Sequence, residues 1–550
     1  MEPTEVQRHI IDNPGNTVVL ASPGSGKTFV LSRKIRNALS RDDIQSYQGV
    51  IAISYTRKAS AHLKTRTLGE GLYEKNSFFG TIDNFCLTQI IIPFGSYLFG
   101  NPPKELDIIN INDLPKNQQS LFEWIREIHP DFNNVQSSQI DDISNLFQLG
   151  YLLIESLELI GLYLIRNCVA CQKYLKARFK YVFIDEYQDA DTYTHDIFIS
   201  LISLGMKGIV VGDVNQSIYG FAHKHSRFLT ELESNPNFTT FKLAQNFRCS
   251  VPIVNYSNRL LDSNSSLLET DEDGVILARI EGDETDTAAY IDNHISEICS
   301  SLKIENLSDV AILVKNGRTQ KIINTSLSTK HRLVETTTLD MDLNPRSHLY
   351  AQLLSYYFDN KATFFSILDE YVDYENLNNS FKKKLNSLKN LIRSIEIEHI
   401  NKLTTLFQQI ANILLPKIPE RESLDKLNEV FCNPQMLNSY LPVKKDEIQL
   451  MTLHKSKGLE FDLVFHLNMS DWELPYKKIN NNDFNNPEYP TWEQDLNLHY
   501  VGITRAKKAC ILVRGTLRTN SYDQLKKAND SEFLSLNNLD LLRKEINIPK

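Results

Sequence analysis

TVVLASPGSGKT, residues 17–28, is the stretch that decides the fold of this chain. Its first four residues are an apolar run that predicts a buried strand, and the residues after Thr28 have the spacing of a helix. Between them lies a turn of small residues, and a strand, a glycine-rich turn and a helix in this order are typical of a phosphate-binding loop. The stretch therefore predicts an α/β domain that binds a nucleoside triphosphate.

The turn contains the residue types that phosphate binding needs. Gly24 and Gly26 let the backbone wrap closely, so that successive N–H groups can point at phosphate oxygens. Lys27 supplies a positive charge for the outer phosphates, and Thr28 supplies a hydroxyl for Mg²⁺. ATP and Mg²⁺ are therefore the expected ligands. The nucleotide is expected to contact Ala21, Ser22, Pro23, Gly24, Ser25, Gly26, Lys27 and Thr28.

Length and composition limit the class of protein. A chain of 550 residues is too long for one core, and 41% apolar with 23% charged residues is ordinary for a globular protein. No apolar stretch approaches the length of a membrane span, and the N-terminus MEPTEVQRHI lacks the order of a signal peptide. The seven scattered cysteines suit a reducing compartment. We therefore expect a cytoplasmic protein without membrane contact, and the net charge of −9 still allows a local groove for nucleic acid.

Two sets of short apolar runs predict two parallel sheets, each covered by helices. The first set is Thr17–Leu20, Val50–Ile53, Tyr181–Ile184, Ile209–Val211 and Phe241–Leu243. The second set is Val275–Ala278, Val310–Val314, Ile448–Met451, Leu463–Leu467 and Ile511–Val513. Helical periodicity dominates two segments, one within each set of runs, and the first of these segments includes the apolar stretch around Leu152 and Leu153. We expect a first domain at 1–88 and 176–245 with an insertion at 89–175, and a second at 246–344 and 445–550 with an insertion at 345–444.

The run YVFIDE, residues 181–186, is a second strong signal. An apolar strand ends here in two carboxylates. In a protein with a phosphate loop, an acid at such a strand end holds Mg²⁺. Asp185 is therefore the expected metal ligand beside Thr28, and Glu186 is the expected general base for the attacking water.

A third run, VVGDVNQSIYGF at residues 210–221, follows the same plan of a strand and a polar turn. Gln216 is placed to sense the γ-phosphate side of the nucleotide. Tyr219 and Phe221 can stack on bases, since every base has a π-face. Aromatic residues two positions apart are also common in cores, so both interpretations stay open for these two side chains.

These runs and several others occur in the order of the motifs of superfamily 1 helicases, and the sequence resembles the UvrD/Rep type of that family. Gln7 resembles the glutamine that reads adenine. The runs ISYTRKA at 53–59 and GTIDNF at 80–85 resemble two motifs that contact single-stranded DNA. The resemblance implies two RecA-like domains, each with a reduced helical insertion, with ATP in the cleft between the domains. It also implies translocation along DNA from 3′ to 5′.

Three runs in the second half, LAQNFRC at 243–249, LMTLHKSKGLEF at 450–461 and HYVGITRAK at 499–507, resemble further motifs of the family. The resemblance implies that Arg248 and Arg505 reach the γ-phosphate from the second domain and that Glu460 contacts the nucleotide. The residues that it implies for contact with DNA are Tyr55, Thr56, Arg57, Thr81, Phe85, Tyr219, Phe221, Thr452 and His454.

Two positions depart from the family pattern. Asp83 stands where the family usually has His, and Ala222 follows Phe221 where the family usually has Arg. An acid near the strand path is unexpected. One contact with the strand and one with a phosphate are therefore expected to differ in this chain.

A narrower resemblance, in the short insertions and the run around Asp83, is to the helicase-like subunits of Gabija anti-phage systems. It implies a hetero-oligomer with an OLD-type nuclease that carries an ATPase domain and a Toprim domain. Three functions stay open: a DNA helicase or translocase in phage defence, a DNA-end-sensing ATPase that signals to a nuclease without processive unwinding, and a housekeeping repair helicase. A non-catalytic assembly module is disfavoured, because the predicted catalytic set is intact. That set is Lys27, Asp185, Glu186, Gln216, Arg248 and Arg505.

Overall fold

The computed structural model describes all residues except 1, 42–43, 70–71, 104–105, 128–131, 219–225, 343, 360–362, 373–376, 417, 419, 480–485 and 550, and it leaves out the side chains of residues 57, 58, 366, 369 and 421. The strands, β1 to β17 in chain order, are Thr17–Ala21, Gly49–Ile53, Phe78–Gly80, Asp107–Ile109, Tyr151–Leu153, Phe179–Ile184, Lys207–Gly212, Thr239–Leu243, Val275–Ile280, Val310–Val314, His331–Leu333, Ile448–Thr452, Phe461–His466, Ala506–Gly515, Leu517–Thr519, Leu525–Lys527 and Lys544–Ile548.

The α-helices, α1 to α23 in chain order, are Glu5–Asp12, Lys27–Leu39, Arg57–Leu68, Ile82–Phe85, Ile92–Phe99, Lys116–Gln119, Glu123–Glu127, Ser137–Gln148, Leu157–Asn167, Val169–Arg178, Thr192–Ser203, Arg227–Glu233, Val251–Leu261, Glu284–Ser301, Gly317–Ser326, Thr338–Met341, Pro345–Phe358, Phe364–Tyr371, Asn379–Ser394, Lys402–Leu414, Arg421–Cys432, Pro434–Asn438 and Trp492–Ile503. A π-helical segment, Cys86–Ile91, joins α4 to α5. Short 3₁₀ turns include Tyr187–Asp189, Val214–Gln216 and His454–Ser456.

The first sheet has six strands in the order β3-β2-β6-β7-β1-β8, and every pair in it is parallel. β1 lies between β7 and β8, where Val18 is level with Val210 and Thr240. Because all strands run the same way, their carboxyl ends meet at one edge of the sheet. That edge therefore collects the loops that follow β1, β2, β3, β6 and β7.

The second sheet has seven strands in the order β11-β12-β10-β13-β14-β9-β17, again with parallel pairing throughout. Both sheets are covered on both faces. Because neighbouring residues of a strand point to opposite sides, they reach different cores. Val18 packs into one core and Val19 into another. Leu313 and Val314 likewise contribute to separate cores on the two faces of the second sheet.

The two insertions differ in how they are packed. The apolar side chains of residues 89–175 belong to the same core as one face of the first sheet. This insertion includes a parallel pair of strands, β4 and β5. Leu152 and Leu153 therefore lie in a strand, whereas the periodicity predicted a helix. The second insertion has a core of its own, built from helices α16 to α21. Its packing is therefore more independent of the sheet than that of the first insertion.

The predicted α/β class with two parallel sheets is confirmed, and each predicted strand lies in one of the two sheets. No predicted run covers β3, β11 or β17 at the sheet edges, or the hairpin of β15 and β16. The domain boundaries given above stay a prediction.

Candidate functional site

The loop between β1 and α2 has a backbone that favours glycine. Gly24 has a φ of 67° and Gly26 a φ of 87°, both in the left-handed region, and Gly26 directly precedes α2. A Cβ atom on Gly24 would lie 2.6 Å from the Cβ atom of Arg248. Within the loop, the Ser25 hydroxyl donates to the carbonyl of Ser22 at 2.7 Å. The loop thus ends at the first turn of α2, whose N–H groups have no partner inside the helix and can bind an anion.

Lys27 brings a buried positive charge to this loop. Its Nζ atom makes no hydrogen bond to the described part of the chain and lies 3.5 Å from a carboxylate oxygen of Glu186. Burial lowers the pKa of Lys27, but the carboxylates of Glu186, Asp213 and Asp185 outweigh burial and raise it. The ammonium group is therefore charged, and its donor hydrogens remain for a ligand.

Asp185 and Glu186 form a strained turn at the end of β6. The Asp185 carboxylate accepts a hydrogen bond from the N–H of Glu186 at 3.0 Å, and Glu186 has a φ of 53°. A left-handed conformation of a residue other than glycine costs about 1–3 kcal/mol and is often found at active sites. Burial and the charge of Glu186 raise the pKa of Asp185. Burial alone would also raise the pKa of Glu186, but Lys27 and Lys457 outweigh it and lower the pKa. The negative charge of the pair therefore lies mainly on Glu186.

Gln188 connects this turn to the end of the neighbouring strand, β7. Its side-chain nitrogen donates to the carboxylate of Glu186, and its side-chain oxygen accepts from the N–H of Asp213 at 3.0 Å. Asp213 in turn accepts from the side chain of Gln216 at 2.7 Å. Gln188, Asp213 and Gln216 are all buried. Gln216, predicted to sense the γ-phosphate, thus lies in a hydrogen-bonded chain that reaches Glu186.

Gln7, predicted to read adenine, lies beside the phosphate loop. Gln7 and Thr4 cap helix α1 reciprocally, and the side-chain nitrogen of Gln7 donates to the carbonyl of Ser25 at 3.1 Å. A Cβ atom on Gly26 would lie 2.9 Å from that nitrogen. A primary amide has two donor hydrogens and two acceptor lone pairs. After its contacts to Thr4 and Ser25, one of each remains for the edge of a base.

Arg248 and Glu460 bring the second half of the chain to the loop. The Nε atom of Arg248 lies 2.6 Å from a carboxylate oxygen of Glu460. The N–H of the preceding residue, Phe247, donates to the carbonyl of Gly24 at 2.9 Å. The predicted γ-phosphate arginine therefore lies next to the phosphate loop, and its guanidinium is held by the residue predicted to contact the nucleotide.

Arg505 is almost completely buried and is fixed by its own half of the chain. It donates to the carbonyls of Val501 and Leu459, each at 3.1 Å. Burial, with the nearby charge of Arg248, lowers the pKa of Arg505 to about 10, so the side chain is charged at neutral pH. The charge of Arg505 also acts on Lys27 and on Glu186. Arg505 therefore contributes to the electrostatics of the site, although its hydrogen bonds are internal.

Further contacts join the two halves around Gln216. The Nζ atom of Lys457 lies 2.5 Å from a carboxylate oxygen of Asp189 and donates to the carbonyl of Gln216 at 2.8 Å. From α23, Gln494 and Asn497 donate, each at 3.0 Å, to the carbonyls of the two residues after Gln216. Contacts from the second half therefore reach the turns that follow β6 and β7 and bring the two halves together at the site.

The residues around Lys27 fit a nucleotide that carries a divalent cation. Thr28 is the second residue of α2, and Asp185 directly follows β6. No cluster of three or more His, Cys, Asp or Glu side chains suited to a metal occurs in the described ranges, so phosphate oxygens and water would have to complete the ligand shell. Mg²⁺ commonly binds in this way, with one or two protein ligands. The buried, unbonded Nζ of Lys27 suits the triphosphate. Thr28 and Asp185 would hold Mg²⁺, which neutralises charge on the phosphates when bound.

A cavity of about 480 Å³ lies over the ends of β2, β3 and β6. Its walls include Tyr55, Thr56 and Thr81, which were predicted to contact DNA. Tyr55 is 37% exposed, and Thr56 and Thr81 accept hydrogen bonds from N–H groups at the starts of α3 and α4. Thr56 and Thr81 thus cap helices, and the three side chains share one cavity.

The same cavity is strongly acidic. Eight carboxylates line it, and the described lining residues include no Lys or Arg. They are Asp83, Glu158, Asp185, Glu186, Asp189, Asp340, Asp342 and Glu370. Asp340 lies in α16, Asp342 follows it, His348 lies in α17 and Glu370 in α18. All four line the same cavity as the residues that were predicted to contact DNA. Three of these carboxylates pair with lysines that do not line the cavity, namely Glu186 with Lys27, Asp189 with Lys457 and Asp342 with Lys426. The lining is therefore acidic, with part of its negative charge compensated from outside.

Phe85 corrects one prediction. It was expected to stack on a base, but it is 0% exposed and its ring packs edge-on against Phe78 and Phe179, with centroids 5.3 Å and 6.2 Å away. It is the last residue of α4, which Thr81 caps, so the helix turns the ring into the core. Phe85 is therefore a core residue.

Three other predicted strand contacts lie outside the described residues. The segment with Tyr219 and Phe221 is among them, and so is the side chain of Arg57.

Thr452 ends β12, level with Val314, and is half-buried. His454 begins the following turn, where burial and Lys315 lower its pKa to about 4, so its ring is neutral at physiological pH.

The sequence analysis did not include Gln188, Asp189, Asp213 and Lys457 among the functional residues, although all four meet at the site. A signal existed for two of them, because Gln188 and Asp189 directly follow the acidic pair at the end of β6. The structure also has no helix, among the residues described, that is long and apolar enough to cross a membrane.

Comparison with known proteins gives two family models and a set of relatives. An AAA domain model matches residues 7–222, and a UvrD-like helicase C-terminal domain model matches residues 359–514. The Gabija protein GajB of Bacillus cereus is 24% identical over 531 residues, which cover 94% of this chain and 96% of the relative. The ATP-dependent DNA helicase PcrA of Bacillus subtilis is 23% identical over 624 residues, with coverage of 93% and 82%. A probable DNA helicase II homolog of Mycoplasma genitalium is 23% identical, with coverage of 95% and 86%.

The similarity extends through both sheets and both insertions, and this defines the class of the protein as a helicase that hydrolyses ATP. Within that class, the chain is similar to the UvrD/Rep-type superfamily 1 DNA helicases along more than nine-tenths of its length.

Proposed function

We propose that the protein moves along single-stranded DNA from 3′ to 5′ with ATP as the source of energy. One observation carries the proposal: the nucleotide loop, the acidic turn and the strand-contact cavity share one edge of the first sheet. The phosphate loop follows β1, Glu186 follows β6, and Thr56 and Thr81 follow β2 and β3. Glu186 therefore lies one β-strand away from Thr56 and two away from Thr81, and the phosphate loop lies three and four β-strands away from them.

The chemistry proposed for the cleft divides between the two halves of the chain. Lys27 would hold the outer phosphates, and Glu186 would orient and deprotonate the attacking water. Arg248 and Arg505 would stabilise the charge that develops on the γ-phosphate. Loss of the γ-phosphate then removes a charge that both halves contact, which favours opening of the cleft. Alternate closing and opening gives stepping when each half also grips the strand.

Thr452 and His454 are proposed as the strand contacts of the second half. Thr452 ends β12 and His454 follows it, so both lie at the carboxyl edge of the second sheet, as Thr56 and Thr81 do in the first. A neutral His454 would act as a hydrogen-bonding group toward DNA, because its pKa is near 4.

A second candidate function is a DNA-stimulated ATPase that signals to a partner without processive unwinding. The side chains of Asp340, Asp342 and Glu370 in the cavity favour this second function, because a DNA strand that passes continuously through the cavity would have to displace them. In this function the protein would hydrolyse ATP at DNA ends and report the result through the closure of the cleft.

Strand displacement distinguishes the two candidates. The purified protein, alone and with a candidate nuclease partner of OLD type, is given ATP and a duplex with a 3′ tail, a 5′ tail or blunt ends. Glu186→Gln serves as the hydrolysis-deficient control. Displacement of the 3′-tailed duplex alone, lost in the variant, supports translocation from 3′ to 5′. DNA-stimulated ATP hydrolysis without displacement on any substrate, in the presence of the partner, supports the signalling function instead.

The proposed partner is a nuclease of OLD type with an ATPase domain and a Toprim domain, and the proposed role is defence against phage. The similarity to a Gabija protein along nearly the whole of both chains supports this. Co-expression with an OLD-type nuclease encoded beside this protein should give one hetero-oligomer on size-exclusion chromatography. It should also reduce plaque formation, with Glu186→Gln as the inactive control. Separate elution and plaque numbers equal to the control would instead favour a housekeeping repair role.

A further inference from the structure

A buried tyrosine lies directly behind the strained turn that carries Glu186. Tyr187 is 0% exposed, and its ring packs edge-on against Phe198 with centroids 5.4 Å apart. Its hydroxyl lies 2.9 Å from the Nδ1 atom of His195, within hydrogen-bonding distance. Because Tyr187 follows Glu186 in the chain, this anchorage fixes one side of the turn.

His195 in turn contacts helix α12. The imidazole stacks on the ring of Phe228 with centroids 4.5 Å apart and an angle of 17°. Its Nε2 atom lies 4.0 Å from a carboxylate oxygen of Glu231, one helical turn further along α12. Burial lowers the pKa of His195, so the neutral ring is favoured. His195 is thus a polar bridge between α12 and Tyr187.

Gln188 gives the turn a second anchor. Gln188 binds the carboxylate of Glu186 and the N–H of Asp213, from which the segment leading to α12 begins. One anchor of Glu186 therefore connects to Asp213, directly after β7, and the other connects to α12. The left-handed conformation of Glu186 needs such support, because it is strained for a residue other than glycine.

We propose that His195 is a positioning residue that couples the position of helix α12 to Glu186 through Tyr187. A shift of α12 moves the stacked imidazole, the hydrogen bond to Tyr187 transmits the shift, and the carboxylate of Glu186 gains or loses its alignment with the attacking water. A misplacement of about 1 Å can cost on the order of 100-fold in rate. The inference rests on the proposed function, in which Glu186 acts on water and DNA stimulates ATP hydrolysis.

The test is a double-mutant cycle with Tyr187→Phe and His195→Phe, which keep a ring at both positions and remove the hydrogen bond. We expect each single variant to lower kcat for ATP hydrolysis in the presence of single-stranded DNA by about tenfold, with KM for ATP within about twofold of wild type. The double variant should lose no more than the worse single variant, because one interaction is removed in all three. Melting temperatures measure any general loss of packing.

A second pair of variants asks whether the Nδ1 atom matters. The side chain of Asn can place a polar atom near the position of Nδ1, whereas that of Gln reaches toward Nε2. His195→Asn should therefore keep more of the DNA-stimulated kcat than His195→Gln. The matched control is Tyr181→Phe, which removes a buried hydroxyl on the strand before the turn, one that accepts from Arg41 at 2.9 Å. The control should leave kcat unchanged.

The outcomes separate the inference from the function on which it rests. Melting temperatures that fall while kcat stays at the wild-type value, or single effects that add fully in the double variant, would overturn the role of His195. Equal activity of the Asn and Gln variants would do the same. Hydrolysis that is undiminished in Glu186→Gln would overturn the proposed function as well, whatever the His195 variants do.

Discussion

The chemistry of this protein depends on single charges that are buried at the site. Lys27 is the clearest case, because its Nζ atom is buried, makes no hydrogen bond to the described residues and faces Glu186 at 3.5 Å. An exposed lysine would be held by water, and its charge would be screened. Here the charge keeps the Glu186 carboxylate ionised and leaves donors for a phosphate.

Replacing Lys27 by Met tests that assignment. We expect ATP turnover to fall by about 100-fold or more, as for other single donors to a transition-state oxyanion. The melting temperature should change by only a few degrees, because Met fills the space of the aliphatic stem. Steady-state hydrolysis and thermal unfolding measure the two quantities. A collapse of the melting temperature together with the activity would show that Lys27 is mainly structural.

The sequence predicts the residue types at the site better than their contacts. The acidic pair at the end of β6 and the lysine of the phosphate loop follow from strand ends and glycine spacing. The bridge that Gln188 makes between Glu186 and Asp213 depends on β6 and β7 being neighbours, which no local pattern contains. Phe85 fails for a related reason, because whether an aromatic ring faces a groove or the core depends on where its helix is packed.

At the scale of elements, helix α1 positions the predicted adenine contact, and a buried lysine from α2 fixes its end. The Nζ atom of Lys34 donates to the carbonyls of Ile10 and Asn13, each at 2.6 Å. These are carbonyl groups that a helix end leaves without partners. Lys34 thereby ties the helix that carries Gln7 to the helix that follows the phosphate loop.

Lys34→Met should loosen α1 and raise KM for ATP by roughly fivefold or more, since the lost hydrogen bonds are worth about 1–3 kcal/mol. The kcat at saturating ATP should stay near the wild-type value, because the groups around Glu186 are untouched. Arg33→Met, on the exposed face of the same helix, is the matched control and should change neither constant. An unchanged KM in Lys34→Met would contradict the role given to α1.

The same lysine predicts a pH dependence of stability. Burial lowers the pKa of Lys34 to about 8, whereas an unfolded lysine titrates near 10.5. Above about pH 8 the unfolded chain therefore holds a proton that the folded chain has released, and the contribution of Lys34 to stability rises with pH. The melting temperature of the wild type minus that of Lys34→Met should increase between pH 7.5 and pH 9.5. A flat or falling difference would show that Lys34 keeps its proton in the fold.

The acidic cavity is an element-scale feature with its own prediction. Asp83, in the first turn of α4, faces the cavity with Thr81. Asp83→Asn removes one negative charge from the proposed strand path and should tighten binding of single-stranded DNA by roughly twofold to fivefold at low salt, with less effect at high salt. Asp141→Asn on α8 makes the same charge change outside the cavity lining. Equal affinities for all three proteins would place the strand elsewhere.

How well an element was predicted depends on how much of it is buried. The central strands of both sheets are continuous apolar runs, and the sequence analysis places each of them. The edge strand Lys544–Ile548 alternates polar and apolar residues and is mostly exposed, and β3 and β11 are only three residues long. Such strands form because a neighbour offers its open edge, which is a property of the sheet and not of their own sequence.

On the scale of the whole molecule, closure of the cleft depends on a few buried contacts between the two halves. Lys457 makes one of them, because it pairs with Asp189, whose carboxylate is 1% exposed. Lys457→Met leaves that carboxylate buried without its cation, and removing one partner of such a pair costs about 3–5 kcal/mol. We expect the first sheet and its insertion to unfold at a lower temperature as a separate transition in calorimetry.

Lys455→Met is the control for that prediction. Lys455 lies in the same turn but donates to the carbonyl of Val334 in its own half, at 3.2 Å. It should lower the melting temperature less and leave the transitions of the two halves together. Indistinguishable unfolding curves for the two variants would show that the pair with Asp189 does not join the halves.

The central claim is that ATP hydrolysis by Glu186 is coupled to a DNA strand on the same edge of the first sheet. The most direct test is the steady-state rate of ATP hydrolysis by the wild type and by Glu186→Gln, each with and without single-stranded DNA. The account predicts that DNA raises the wild-type kcat by about tenfold or more, and that the variant binds ATP but hydrolyses it at less than about a hundredth of that rate, with or without DNA. A wild-type rate that is indifferent to DNA, or a variant that turns over normally, would contradict it.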